Sequence, residues 1–424
     1  MFREEAAGMA EAEGRGGRHV VVAGAGIAAL GLALALKRAN GPALAVSVFD
    51  PGLPEGASRH RGRAYAVAAG GRRMLERIGI WDRIGPATQA ITDMAISDSR
   101  LRDPVRPVFL TFEREGEAEP FAHMVEAGPL VAALLAACAE AGVALDASGI
   151  ASVRTEAGAA RVALSDGRSL RAELVVAADG ARSRLREAAG IGFVTRAYDQ
   201  QGIVATIGHA RSHEGRAFEH FLPSGPFAIL PLADGGALGH RSSIVWTERA
   251  DEAGALLAGD PEEVLAEIER RFTPALGRLS LEDGPSAHPL HLGLARRYRA
   301  GRLALLSDAA HVIHPLAGQG LNLGLAAAAC LAEGITDALR LGLDPGGEDV
   351  LAAYERSRRF DALAMAAATD GLNRLFSNDL TPLRLVRDFG LGLVDRMPGL
   401  KRALIAEAAA ARGPQPRLMR GEPL

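Results

Sequence analysis

The chain has 424 residues, 48% of them hydrophobic and 23% charged, and a formal net charge of −3. These ordinary globular values exclude whole-chain disorder, and the absence of a basic footprint argues against a nucleic-acid surface. Two cysteines, Cys138 and Cys330, make neither a disulfide framework nor a Cys/His cluster, so no metal site is expected.

Residues 1–17 mix acids with bases and lack the apolar core of a secretory signal, so they read as a disordered tail. Two stretches have no Asp, Glu, Lys or Arg: Val20–Leu36, with 17 residues, and Ala309–Ala332, with 24. Length alone would let either span a bilayer. The first is interrupted by glycines, and the second holds His311, His314, Pro315, Gln319 and Asn322. Both therefore read as buried strand–loop–helix segments of a soluble protein.

Val20-Val21-Val22-Ala23 is an apolar, β-branched run suited to a parallel strand buried on both faces. Gly24-Ala25-Gly26-Ile27-Ala28-Ala29 follows, then an Ala/Leu-rich helix, then the strand Leu44–Phe49 ending in Asp50. Strand, glycine turn, helix, strand and acid form the fingerprint of a dinucleotide site. Gly24 permits the tight turn, Gly26 lets a pyrophosphate approach the backbone, and the helix start offers free N–H groups. Ala29 stands at the third fingerprint position, where alanine is allowed. Asp50, 26 residues after Gly24, suits a ribose hydroxyl. NADP is disfavoured, because no Arg or Lys follows Asp50 until Arg59; NAD and FAD both remain open on this motif.

Two further apolar strands end in acids. Leu174–Ala177 leads into Ala178-Asp179-Gly180, and Leu303–Leu306 into Ser307-Asp308. Pro315–Gly324 is a glycine-rich loop entering an Ala-rich helix. This trio resembles the class A flavoprotein aromatic hydroxylases, with their p-hydroxybenzoate hydroxylase-like fold. More narrowly, the chain resembles the ubiquinone-biosynthesis hydroxylases. Arg63–Val67, Leu75–Trp81, His123–Glu126, Phe221–Leu232, Val245–Glu248, Asp308–Gly324 and Leu372–Ser377 carry the likeness.

The resemblance implies FAD, with Asp308 on the ribityl chain, Arg63 near the pyrophosphate and Asp179 near the cofactor. It places the loop through Gly318, Gly320, Leu321 and Asn322 beside the isoalloxazine ring. Amides at a helix start there would stabilise the negative charge of reduced flavin. The implied reaction hydroxylates a ring carbon through a flavin C4a-hydroperoxide. His314 and Pro315 are the candidate catalytic residues: His314, like His311, could help ionise a phenol, and Pro315 would shape the ring-side wall. There are departures from the family pattern. Ser307 stands where glycine is usual, Ala127-Gly128 replaces Asn-Arg, and Ala326-Ala327 replaces Arg-Asp.

The expected fold is α/β: a Rossmann-like FAD domain (18–88, 121–192 and 290–380) interleaved with a smaller β-sheet substrate domain (89–120 and 193–289). A helical region, 381–424, ends the chain. Short β-prone runs between Val194 and Pro289 would form a sheet over the flavin. Phe221 and Phe227 are candidate substrate contacts, although each would serve equally as sheet core. No second glycine fingerprint follows a strand, so NAD(P)H would bind transiently, or another donor would supply electrons. The expected partners are dioxygen, an aromatic substrate with a polyprenyl tail, and other quinone-biosynthesis proteins. Arg and Lys interleave with apolar residues over Pro382–Ala411, which suggests a cytoplasmic protein touching the inner membrane peripherally. Two alternatives stay open: a hydroxylase of a small untailed phenol, and a non-hydroxylating flavoprotein subunit of a biosynthetic complex.

Overall fold

The computed structural model describes residues 18–101, 103, 108–113, 119–272, 274–315, 318–377 and 415–424. The expected N-terminal tail and most of the expected C-terminal helical region, 381–414, lie outside the described residues.

The first core is a six-stranded sheet in the order Arg299–Ala300, Leu303–Leu305, Leu174–Ala177, Arg18–Ala23, Leu44–Phe49 and Ala144–Asp146. All neighbours pair in parallel except the short Arg299–Ala300 strand. Val20, Val21, Val22, Leu174, Val175 and Val176 are completely buried. The continuous apolar runs are thus covered on both faces, and each such side chain contributes about 1.5–3 kcal/mol. Helices Ile27–Asn40, Ala127–Ala141 and Gln319–Arg340 pack around this sheet. Small residues let two of them approach closely: the Cβ position of Gly324 lies 3.3 Å from Ala28 Cβ. The helix starts at Gly26 and Gly318 therefore belong to two helices in direct contact.

The parallel arrangement has one consequence for function. Arg18–Ala23, Leu44–Phe49, Leu174–Ala177 and Leu303–Leu305 share a direction, so their carboxyl ends lie on one edge of the sheet. Gly24, Asp50, Asp179 and Asp308 follow those ends within a few residues. This edge, beside the central strand, is where open α/β sheets bind ligands.

The second core belongs to an eight-stranded sheet. Its order is His311–Val312, Leu279–Ala295, Phe193–His209, His240–Arg249, Gly225–Leu232, Arg216–Leu222, Asp93–Asp98 and Val108–Glu113. One face carries Ile203, Ile207, Phe227, Ile229, Ile244 and Trp246 into a cluster with helices Ala250–Ala258 and Pro261–Arg271. The other face carries Ala217, Leu230 and Leu232 against a three-stranded sheet, Ala64–Ala68, Ala122–Glu126 and Thr88–Ile91. Arg241 of the large sheet also donates to Glu126 of the small one, at 3.0 Å. The final residues return to the first core, where Arg417 pairs with Glu333 and Asp337.

Candidate flavin cleft and substrate face

The glycine turn is fixed by sterics. Gly24 has φ +106°, and a Cβ there would lie 2.3 Å from the carbonyl oxygen of Ala178. Its amide donates to Phe49 O at 2.8 Å. Gly26 caps helix Ile27–Asn40 with nothing within 4 Å of its Cβ position. No side chain caps that helix and its first turn has no acid, so the amides and positive dipole end stay available to an anion. Ala29 is buried in the helix packing; it serves close packing and not direct contact. Asp50 Oδ2 accepts from the Ala25 amide at 2.8 Å, and Oδ1 accepts from Gly52 at 2.7 Å.

The Asp-Gly motif lies on the same edge. Asp179 Oδ2 accepts from the Leu185 amide at 3.3 Å. Its Oδ1 is buried with no hydrogen-bond partner among the described residues. Gly180, at φ +85°, has open space around its Cβ position. The expected helix after it is short, Arg184–Ala188, and is capped by Ser183. An unsatisfied acceptor, an open glycine cradle and an uncapped helix start are the features a bound dinucleotide would complete. The residues fit FAD on these grounds.

Asp308 follows its strand in a single turn, Ser307–Ala309. It is open to the cleft yet ringed by protein, and that desolvation raises its pKa. The Ser307 hydroxyl, His291 and Arg63 pull the other way. Arg63 is thus drawn to the Asp308 side of the cleft, where it also reaches His288 Nε2 at 3.3 Å. The Ala127 amide anchors Arg63 by donating to its carbonyl at 2.8 Å. Ser307 itself holds φ +55°, a conformation that glycine adopts without strain.

The loop after His311 departs from expectation at Asn322. Gly318, at φ +62°, caps helix Gln319–Arg340 with no side-chain cap and no acid in the first turn. With Gly318 as cap, the amides of Gly320 and Leu321 lie in the first turn, and the Asn322 amide enters the first helical bond. The Asn322 side chain is also committed. Its Nδ2 donates to Ala66 O at 2.9 Å and its Oδ1 accepts from the Ala68 amide at 2.9 Å. Asn322 therefore braces the loop on the small sheet, while Gly320 keeps open space. Pro315 O accepts from the Gly318 amide at 3.0 Å.

His314 is 1% exposed, and neither ring nitrogen has a partner among the described residues. It packs edge-on against Tyr198 at 5.2 Å, and burial pushes its pKa down to about 4. It is neutral at pH 7. His311 stacks on Tyr298, whose hydroxyl lies 3.2 Å from its Nδ1. That is a structural setting.

The two phenylalanines separate. Phe221 stacks on Phe376 at 4.1 Å on the face of the large sheet turned toward the small sheet. Phe227 points to the opposite face, 1% exposed and edge-on to Trp246 at 5.8 Å. Neighbouring strand positions alternate faces, so the two cannot line one pocket; Phe227 is removed from the candidate substrate contacts.

Two groups escaped the sequence reading. Arg186 donates to Ala309 O and Ala181 O, both at 2.9 Å, and lies 3.8 Å over the Phe193 ring. It ties the Asp179 loop to the Asp308 loop. Its only sequence signal is a third arginine spaced two residues from the last in Arg182-Ser183-Arg184-Leu185-Arg186. Glu219 is the other, and no local motif marks it. The departures Ala326 and Ala327 are buried within the helix packing, as is Ala127 beneath Arg63.

The strand-edge site and its glycine cradles define a dinucleotide-binding flavoprotein fold. Residues 18–369 match the FAD binding domain family. The ubiquinone hydroxylase UbiL of Rhodospirillum rubrum is 44% identical over 412 residues, 96% of this chain and 93% of that protein. The mouse mitochondrial ubiquinone biosynthesis monooxygenase COQ6 is 32% identical over 393 residues, 82% of this chain and 80% of that protein. Among solved structures, p-nitrophenol 4-monooxygenase PnpA from Pseudomonas putida superposes with a TM-score of 0.74. That alignment covers 94% of this chain and 99% of the other at 19% identity, a likeness of fold. The chain belongs to the FAD-binding family and, within it, to the hydroxylase group that UbiL and COQ6 represent.

Proposed function

We infer that this protein is an FAD-dependent monooxygenase that hydroxylates a ring carbon of a polyprenylated phenol in ubiquinone biosynthesis. The observation that carries this reading is the delivery of Gly24, Asp50, Asp179 and Asp308 to one sheet edge, next to an apolar face of a second sheet. The relatives' names supply the substrate class.

When bound, FAD would supply the reductive activation of dioxygen. The protein's own task is to hold and to exclude. Gly24 and Gly26 would admit the pyrophosphate, with Arg63 offsetting its charge. Asp50 would accept from the ribose, Asp179 would accept through its unpaired Oδ1, and Asp308 would accept from the ribityl hydroxyls. The amides of Gly320 and Leu321 would face the pyrimidine edge of the ring. Pro315 and Phe221 would wall the substrate, and His314 stays neutral to bond it. NAD(P)H or another donor would visit transiently. The cofactor residues would form one unit, 18–88, 121–192 and 290–380, and the substrate sheet another, 89–120 and 193–289.

The test is direct. Purified protein with added FAD should show the visible bands of oxidised flavin and convert a prenylated phenol to its hydroxylated product when given a reductant and oxygen. Protein that refuses FAD, or holds it without product, overturns the reading.

Among the described residues no helix is long and apolar enough to cross a membrane. We propose peripheral contact through the basic, apolar-interleaved segment Pro382–Ala411, which lies outside the described residues. Flotation with anionic liposomes should carry the FAD-loaded protein upward; failure to float sinks this part.

A further inference from the structure

The sheet face turned toward the small sheet is largely apolar, with Ala217, Phe221, Ala228 and Leu230 on it, and Thr206, Glu219, Arg241 and Ser243 are polar residues set among them. Strand Arg216–Leu222 presents Ala217, Glu219 and Phe221 on it, by the two-residue alternation of a strand. Ala217 packs in a cluster with Ala64, Ala66, Met124 and Leu230. Phe221 packs with Phe376 and Ile96. Glu219 stands between these two clusters, opposite Ala228 on one neighbouring strand and Ile96 on the other. Ala66 is also where Asn322 fastens the loop beside the expected flavin ring. Glu219 therefore lies on the wall across from that loop.

Its carboxyl makes no hydrogen bond or ion pair among the described residues, and burial is the only influence on it, pushing its pKa up to about 7. Yet Glu219 is only half-buried: protein surrounds it while its end still faces open space. On the same face, one strand beyond the Gly225–Leu232 strand, Ser243 Oγ is buried and also has no partner among the described residues. An unpaired acid in an apolar wall is costly unless something bonds it. An apolar residue would serve the fold better at this position. A few polar groups on an apolar surface match a ligand that is mostly apolar with a few polar substituents.

We propose that Glu219 recognises the substrate by accepting the hydrogen bond of its ring hydroxyl, with Ser243 as a second polar group of the same wall. This rests on the hydroxylase reading. An O–H donated to a carboxylate leaves the oxygen richer in electrons, and the ring carbons ortho and para to it become better partners for an electrophilic oxygen. The same bond fixes which ring edge faces the flavin. No covalent step is assigned to Glu219.

The experiment is equilibrium binding to FAD-loaded protein, read by the flavin absorbance change. The probes are 2-allylphenol and its methyl ether, which cannot donate. Wild type should prefer the phenol by roughly tenfold or more, as a charge-assisted hydrogen bond allows. Glu219→Leu should bind both alike. Glu219→Gln keeps a neutral acceptor and should retain only a few-fold preference. A Glu219→Leu protein that holds FAD and keeps the full preference overturns the assignment. Should that variant not hold FAD, an unchanged preference in Glu219→Gln overturns it equally. Wild type binding both probes alike also removes Glu219 while leaving a phenol site in place. Wild type with FAD that binds neither probe contradicts the hydroxylase reading, and the assignment falls with it.

Discussion

The cofactor edge and the substrate wall of this protein are built on different principles. At the cofactor edge, four parallel strands end together, and each is followed within a few residues by its own glycine or acid. Chemistry there is local: each contact lies close in sequence to the strand that aims it. At the substrate wall, Glu219, Phe221, Leu230 and Ser243 come from three strands joined by antiparallel pairing. There a residue's role depends on which face its register selects. The first region should therefore fail through single glycines, and the second through the inward or outward direction of single side chains.

The largest effect belongs to the cofactor edge. Gly24→Ala forces a Cβ to within 2.3 Å of a backbone oxygen at a positive φ. Neither neighbour can yield cheaply, so FAD affinity should fall by about a hundredfold or more, or the fold should be lost. Titration with FAD, alongside thermal melting, measures both. Retained affinity would mean that the turn is looser than its geometry indicates.

The substrate wall gives a paired contrast. Phe227→Ala should cost about 3–5 kcal/mol of stability in chemical denaturation, because it empties a site beside Trp246. With the fold intact, it should leave KM for the phenol little changed. Phe221→Ala should do the reverse, raising KM by about tenfold with a smaller loss of stability. If the two variants behave alike, the division of the sheet into core face and substrate face is wrong.

Acid should weaken both regions together. Burial holds His123, His311 and His314 at pKa values of about 4, against 6.5 in the free side chain. The unfolded chain takes up these protons first as pH falls. Stability is therefore fully present above about 6.5 and is lost progressively toward 4. Melting temperature measured across that window should fall. A flat profile would show that these imidazoles are not buried neutral.

The smallest effect tests Ser307. Its φ of +55° costs an L-residue about 1 kcal/mol that glycine does not pay. Ser307→Gly should raise the melting temperature by a few degrees. It should also remove the hydroxyl that lowers the Asp308 pKa.

The same contrast explains what could be read from the chain alone. The strand-end positions of Gly24, Asp50, Asp179 and Asp308 were legible because a buried parallel strand is a continuous apolar run and the residues after it are placed directly. Phe227 was misassigned because period-two alternation tells which residues share a face, not which face meets the cofactor. Asn322 lies at the expected loop, but its side chain is spent on Ala66 and Ala68, a contact 254 residues away in sequence for Ala68. Arg186 reads as one more basic residue until its two carbonyl partners are seen. Glu219 carries no motif at all: its unpaired state exists only once the strands on either side are in register.

The most direct measurement is single-turnover oxidation of a prenylated phenol by the reduced, FAD-loaded protein under dioxygen labelled with heavy oxygen. A hydroxylase of this kind places one labelled oxygen atom on the ring and loses the other as water. Flavin that reoxidises while the phenol stays unlabelled, with all the oxygen recovered as peroxide, would contradict the assignment.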